Sequence, residues 1–279
     1  MNYIRSVEWL AACMDQPDVV IVDCRFHLMD PQAGEEAYKA GHIPNAFYAD
    51  LERHLSGPEQ THGGRHPLPD VKQLQAVLES FGITERSTVV AYDQGEAMFA
   101  GRFWWLLSYI GHEKVYVLDG GFKAWKEQGL PVTQEIPPPA LGQLAINLQT
   151  DWLATLEEVK EAALHGAPAT LIDSRAAERY KGEVEPLDRV PGHIPSAQNY
   201  FFLDSLKEGY WKSPQQQMER FRKLDRTKPV IVYCGSGVSA TPNIIALKAA
   251  GFRDVKLYAG SYSDWSSYQE LPVAKGESE

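Results

Sequence analysis

Three short strings and a tryptophan occur twice in this chain with small changes, and that repetition limits the fold more than any other feature. "VVIVDCR" at 19–25 returns as "ATLIDSR" at 169–175, and "GHIPNA" at 41–46 returns as "GHIPSA" at 192–197. "STVVAYD" at 87–93 is matched by "KPVIVYC" at 228–234, and Trp125 by Trp265. The separation is 150 residues from Asp23 to Asp173 and 151 from Gly41 to Gly192, but 141 from Tyr92 to Tyr233 and 140 from Trp125 to Trp265. Steady offsets with one step mean two copies of one domain, the first carrying extra residues between its GHIP and its YD. The stretch "LSGPEQTHGGRHPLPD", 55–70, is their place, being rich in Gly, Pro and His. A chain of 279 residues suits two such domains. We place them at 1–136 and 149–279, joined by a linker at 137–148. The proline triplet in "LPVTQEIPPPALG", 130–142, cannot continue a helix and reads as stiff, extended chain.

Inside each copy, short apolar runs alternate with helical patterns. Val19–Asp23, Thr88–Tyr92, Val115–Leu118, Thr170–Asp173, Val230–Tyr233 and Val255–Tyr258 read as buried strands. The spacing predicts a helix over Val71–Phe81, after the cap residue Asp70 and up to Gly82, and another over Ala240–Ala250, up to Gly251. Near-continuous apolar strands separated by helices imply an α/β fold: two tandem domains, each a parallel sheet flanked by helices. In such sheets ligands bind beyond the carboxyl ends of the strands.

The repeat also serves as an internal control. Features in both copies belong to the scaffold; features in one copy are candidates for chemistry. Asp23 and Asp173, with Arg25 and Arg175 two residues on, are shared, and read as strand-end ion pairs. His42 and His193 recur in the same GHIP context and read as structural. Cys234 is not shared, because Asp93 stands at its place in the first copy, which is therefore expected to be inactive. Cys13 and Cys24 lie in a predicted helix and at a strand end, where packing is the expected role.

The loop "CGSGVSA" gives Cys234 its chemistry. Gly235 and Gly237 let the backbone curl into a cup whose N–H groups, with those of Val238 and Ser239, converge on the sulfur. The helix that follows adds the positive end of its dipole, and Pro242 is acceptable in a first turn. Such settings favour thiolate over thiol. Ser236 and Ser239 offer hydroxyl groups to an anionic sulfur or a substrate. A phosphatase of the Cys-x5-Arg type needs an arginine six residues after the cysteine, and Ala240 stands there. A cysteine hydrolase wants a histidine base, and none lies near the loop in sequence; a distant one stays open. Accepting a sulfur atom needs only a thiolate and donors around the resulting persulfide.

Composition excludes other classes. The net charge of −10 argues against non-specific nucleic-acid binding. No apolar run approaches the roughly 20 residues that span a bilayer, so no membrane is expected as partner. The N-terminal segment lacks the layout of a secretion signal. Three dispersed cysteines give neither a disulfide framework nor a C-x-x-C metal site, which fits a reducing cytoplasm. No cofactor or metal is called for.

At this point a family resemblance can be stated. "GRHPLP", "RFWWLLSYIGH", "VYVLDGGFKAW", the two GHIP segments and the Cys loop resemble tandem-domain rhodanese-type sulfurtransferases over nearly the whole chain. The resemblance implies that only the second domain is active and that Cys234 cycles between thiolate and persulfide. It implies a small-molecule sulfur donor and a thiol, cyanide or thioredoxin-like acceptor. Thiosulfate-preferring members resemble Cys-Arg-Lys-Gly-Val-Thr, and the uncharged loop here is closer to 3-mercaptopyruvate sulfurtransferases; by that likeness Ser236 assists proton movement. Arg179, in "ERYKG", matches the arginine that holds the donor's carboxylate or sulfonate. A second arginine, in an E-P-R segment, is missing: Leu187 occupies its neighbourhood, with Arg189 nearby. The family's Asp-His pair maps loosely onto Asp30 and His42. Thiosulfate as donor, and a non-catalytic interaction or sulfur-sensing module, remain alternative readings.

Overall fold

A computed structural model describes residues 3–277. The β-branched runs form two parallel sheets, because each is apolar on both faces and is covered by helices on both sides. In the first, β1 (Ile4–Arg5), β2 (Val19–Asp23), β3 (Ala46–Tyr48), β4 (Thr88–Tyr92) and β5 (Val115–Leu118) lie in the order β1-β5-β4-β2-β3. In the second, β6 (Thr170–Asp173), β7 (Gln198–Asn199), β10 (Val230–Tyr233) and β11 (Val255–Leu257) lie in the order β11-β10-β6-β7. An antiparallel hairpin of β8 (Leu206–Lys207) and β9 (Tyr210–Trp211) stands apart. Every pairing within the two sheets is parallel, and β2 and β4 run in register with Asp23 beside Tyr92, as Asp173 is beside Tyr233. The α/β class and the tandem of helix-flanked parallel sheets are thus as expected. No helix among the described residues is long and apolar enough to cross a membrane.

The groups shared by the two copies are scaffold in both. Arg25 donates to both carboxylate oxygens of Asp23 and to the Gly41 carbonyl; Arg175 does the same with Asp173 and Gly192. His42 and His193 stack on Tyr38 and Tyr180 at 3.9 and 3.8 Å, and each pairs through Nδ1 with that tyrosine's carbonyl at 2.8 Å.

The two sheets share one apolar core. It joins Val22, Phe103 and Trp104 of the first half to Ile172, Phe221 and Ile244 of the second. The helix Met98–Tyr109 is the reason. Its residues Phe99 to Leu107 are all buried, so it has no solvent face and is sandwiched between its own sheet and the helix Thr241–Ala249. A Cβ at Gly101 would lie 2.7 Å from Thr241 Oγ1, so only glycine lets these helices approach so closely. The segment after 130 is extended, as the prolines require, and is pinned to the first half. Thr133 pairs with His42, Gly142 N–H donates to the Glu79 carbonyl at 2.7 Å, and Gln149 N–H to that of Tyr109 at 2.7 Å.

The extra residues of the first copy cross to the second. Gly63 N–H donates to Asp264 Oδ1 at 2.7 Å, Arg65 N–H to Ser263 Oγ at 3.2 Å, and His62 stacks on Tyr268 at 4.0 Å. The β8–β9 hairpin makes a reciprocal crossing, with Trp211 N–H donating to Asp119 Oδ1 at 2.8 Å. Each half therefore closes over the strand ends of the other.

Candidate active site

Cys234 follows the last residue of β10, at the carboxyl edge of the second sheet, and is buried. The short helix Ser261–Trp265 fixes its loop from one side. Ser261 Oγ accepts from Cys234 N–H at 3.2 Å, while Tyr262 and Ser263 N–H donate to the carbonyls of Cys234 and Gly235 at 3.0 and 2.9 Å. Gly237 adopts φ +77°, and a Cβ there would meet the Ala259 carbonyl oxygen at 2.3 Å. That glycine is obligatory, and the turn it permits brings its N–H to 3.2 Å from Cys234 Sγ.

The expected convergence of N–H groups on the sulfur needs correction. Gly237 alone among the described residues donates to it; Gly235, Ser236, Val238 and Ser239 aim their N–H groups at no protein acceptor. Ser239 is half-buried, and its hydroxyl has no partner among the described residues. The first copy shows what such a loop accepts. Asp93, fully buried, takes the N–H groups of Gly95 and Ala97 on Oδ1, both at 3.0 Å, and those of Phe99 and Ala100 on Oδ2, at 3.0 and 3.2 Å. Burial raises its pKa and the four N–H groups oppose that shift. The first copy's turn thus holds its own anion.

Three residues that sequence reasoning missed come to the Cys loop from the first half. His66 Nδ1 lies 2.7 Å from Ser236 Oγ, both groups buried. Burial, and after it the Arg102 and Arg65 guanidiniums, push His66 down to about 4, so it is neutral at pH 7. Arg102, fully buried, donates to the carbonyls of Gly237, Leu55, His66 and Pro67 at 3.1 to 3.3 Å. It pairs with no carboxylate among the described residues, and burial lowers its pKa to about 10 while the Cys234 sulfur acts the other way. Arg65 lies over Gly235: a Cβ there would be 3.0 Å from its Nη2 and 3.6 Å from both Nη atoms of Arg179. Two signals pointed to these residues. The step in the repeat marks 55–70, and Arg102 is the one charge in an otherwise apolar helix.

Arg179 thus stands at the loop, where it is paired with Glu185 at 2.6 Å and Asp188 at 2.9 Å. Arg65 also pairs with Asp188. Arg189 is exposed and forms no ion pair among the described residues, and Leu187 is exposed as well. The loose mapping of an acid-base pair onto Asp30 and His42 fails: Asp30 lies exposed in a turn of the first half, and His42 is locked against Tyr38. His66 is the histidine at Ser236.

The low value of His66 has a consequence for stability. A histidine that is neutral when folded takes up a proton on unfolding once the pH is below 6.5, so stability falls between pH 6.5 and about 4. The full span is worth about 3 kcal/mol. In urea denaturation across that range, His66→Gln should show a shallower loss than the wild type. His54, His112 and His193, which burial shifts the same way, contribute to the residual slope in the same sense.

Known proteins match the chain in both halves. The rhodanese-like domain model matches residues 6–128 and again 155–268. A probable 3-mercaptopyruvate sulfurtransferase of Pseudomonas aeruginosa is 45% identical over 98% of both chains. A putative thiosulfate sulfurtransferase, SseB, of Mycobacterium tuberculosis is 37% identical, covering 92% of this chain and 91% of its own. The crystal structure of the 3-mercaptopyruvate sulfotransferase SseA from Escherichia coli superposes with a TM-score of 0.83 at 31% identity, over 94% of this chain and all of the other.

Proposed function

Because this chain belongs to the rhodanese-like family, as a tandem of two such domains, we propose that it moves sulfur from 3-mercaptopyruvate to a thiol or cyanide acceptor through a persulfide on Cys234. The observation that carries this reading is the contrast between the two copies. An aspartate places its carboxylate oxygens two bonds beyond Cβ, and a cysteine persulfide places its outer sulfur at the same remove. In the first copy, Asp93 fills the turn with an anion of that reach, held by four N–H groups. The loop after Cys234 leaves N–H groups without acceptors, as a site for a terminal persulfide sulfur would.

The steps balance without a cofactor. The Cys234 thiolate attacks the donor's sulfur, the carbon–sulfur bond breaks, and the electron pair leaves on carbon as the enolate of pyruvate. The proton from the donor's thiol ends on that carbon. Ser236, paired with neutral His66 at 2.7 Å, moves it, and Arg179 holds the donor's carboxylate. An acceptor such as cyanide then takes the outer sulfur as thiocyanate and returns Cys234 to thiolate. The Cys loop itself carries no Lys or Arg, and the two guanidiniums beside it, Arg65 and Arg179, are already paired with Asp188 and Glu185, which leaves neither free for the second charge of thiosulfate. The setting we assign is a reducing cytoplasm, with a small thiol or a thioredoxin-like protein as acceptor.

The donor assignment is tested by thiocyanate formation with each donor. The expected kcat/KM is at least about tenfold higher for 3-mercaptopyruvate than for thiosulfate, a difference of about 1.4 kcal/mol. The reverse order would move the protein to the thiosulfate reading, and no turnover with either would leave a non-catalytic module.

A further inference from the structure

We propose that Arg65, carried by the half without the reactive cysteine, is the second arm of the clamp for the donor's carboxylate. Asp188 keeps that clamp shut until the donor takes its place. The inference rests on the sulfurtransferase reading above and names a residue and a displacement that the reading does not contain.

Geometry carries it. The second half supplies one arginine over the Cys loop, Arg179, while Leu187 and Arg189 are exposed. Arg65 enters from the first half and reaches the same glycine, so two guanidiniums meet above Gly235. Between them lies a carboxylate already. Asp188 Oδ1 pairs with Arg65 and Oδ2 with Arg179 at 2.9 Å, and its side chain is buried. This is the two-armed contact that a small 2-oxo acid would make there, with the protein's own side chain as stand-in.

Asp188 is also the carboxylate that can leave. Arg175 and Arg179 also hold Glu185, at 3.0 and 2.6 Å, and Arg175 holds Asp173, so neither depends on Asp188 alone. Asp188 meets Arg175 only at 3.9 Å. Replacing its carboxylate by that of a donor leaves the net charge of the cluster unchanged, so no charge is buried without a partner. A cleft of about 290 Å³ on the solvent side, lined by Arg65, Leu187, Asp188 and Arg189, gives the side chain room to swing out. Burial raises the pKa of Asp188 against the pull of Arg65, so its return to water recovers lost hydration. The same pair is one of the contacts that tie the strap of residues 55–70 of the first half to the second, beside those of His62, Gly63 and His66.

Alkylation tests this without sulfur transfer. Bromopyruvate and bromoacetone present the same carbon to the thiolate and lose bromide in the same way; they differ in carboxylate against methyl. The readout is the ratio of their rates at Cys234, by peptide mass, each divided by the rate with free cysteine. The wild type is expected to favour bromopyruvate. Arg65→Gln should cut that ratio at least about tenfold, the loss of one charge-assisted pair. Asp188→Asn, which removes the stand-in charge, should raise it at least about threefold. An unchanged ratio in Arg65→Gln, or a fall in Asp188→Asn, overturns the proposal. Because alkylation needs no sulfur donor, failure of sulfur loading would sink the function above and leave this result standing on its own.

Discussion

Cys234→Ser is expected to abolish thiocyanate formation, with a loss of at least about a thousandfold, because a serine hydroxyl at neutral pH is no nucleophile toward sulfur and forms no persulfide. The change is nearly isosteric at a buried position. The Gly237 N–H keeps an acceptor in Ser Oγ. Urea denaturation should therefore show stability within about 1 kcal/mol of the wild type. Retained turnover in a homogeneous Cys234→Ser preparation would show that another group carries the sulfur. Cys24 is the nearest alternative in kind, and it is unsuited: it is buried beside Asp23 and Asp93, and its pKa is raised well above the usual thiol range, chiefly by burial.

Arg102→Met is expected to have the next largest effect, on stability and reactivity together. The carbonyls of Leu55, His66 and Gly237 lose their donor, while that of Pro67 keeps the Gly57 N–H at 3.0 Å. At about 1 kcal/mol each, less the gain from removing a buried charge, the net loss is about 2 kcal/mol. The guanidinium has no carboxylate partner among the described residues. The Cys234 sulfur is the group whose charge, when it is a thiolate, favours that cation. Removing the cation should slow alkylation of Cys234 by iodoacetamide at pH 7 at least about tenfold. Arg102→Lys separates the two effects, since it keeps a charge and loses the fork that spans both halves. It should retain much of the reactivity and little of the lost stability. Alkylation of Arg102→Met at the wild-type rate would mean that the cation only braces the strap.

The fold was legible because its strands are short apolar runs that occur twice. Five of the six expected strands have the bounds read from the sequence; the sixth ends at Leu257, one residue early. The helix after Asp70 runs Val71–Ser80, with that carboxylate accepting from Lys72 and Gln73 N–H. Strands of two or three residues, such as β1, β7 and the β8–β9 hairpin, carry too little pattern to be read, since alternation over two positions says nothing.

The site was legible only on the cysteine's side. Comparison of the copies singled out Cys234, its loop pointed to Ser236, and the family resemblance pointed to Arg179. His66, Arg65 and Arg102 lie 132 to 169 residues away in the other half. Nothing in their local sequence says that they cross an interface. The insertion at 55–70 is marked in the sequence only as extra residues rich in Gly, Pro and His, and its partners in the second half are not. The copy that lost the cysteine is the one that supplies the histidine and two of the arginines.

The most direct measurement of the central claim is the intact mass of the reduced protein after incubation with 3-mercaptopyruvate and removal of the excess. The account predicts a gain of one sulfur atom, located on Cys234 by peptide mapping, released as thiocyanate on addition of cyanide, and absent in Cys234→Ser. A reduced wild-type protein that gains no sulfur, or gains it on Cys13 or Cys24, would contradict it.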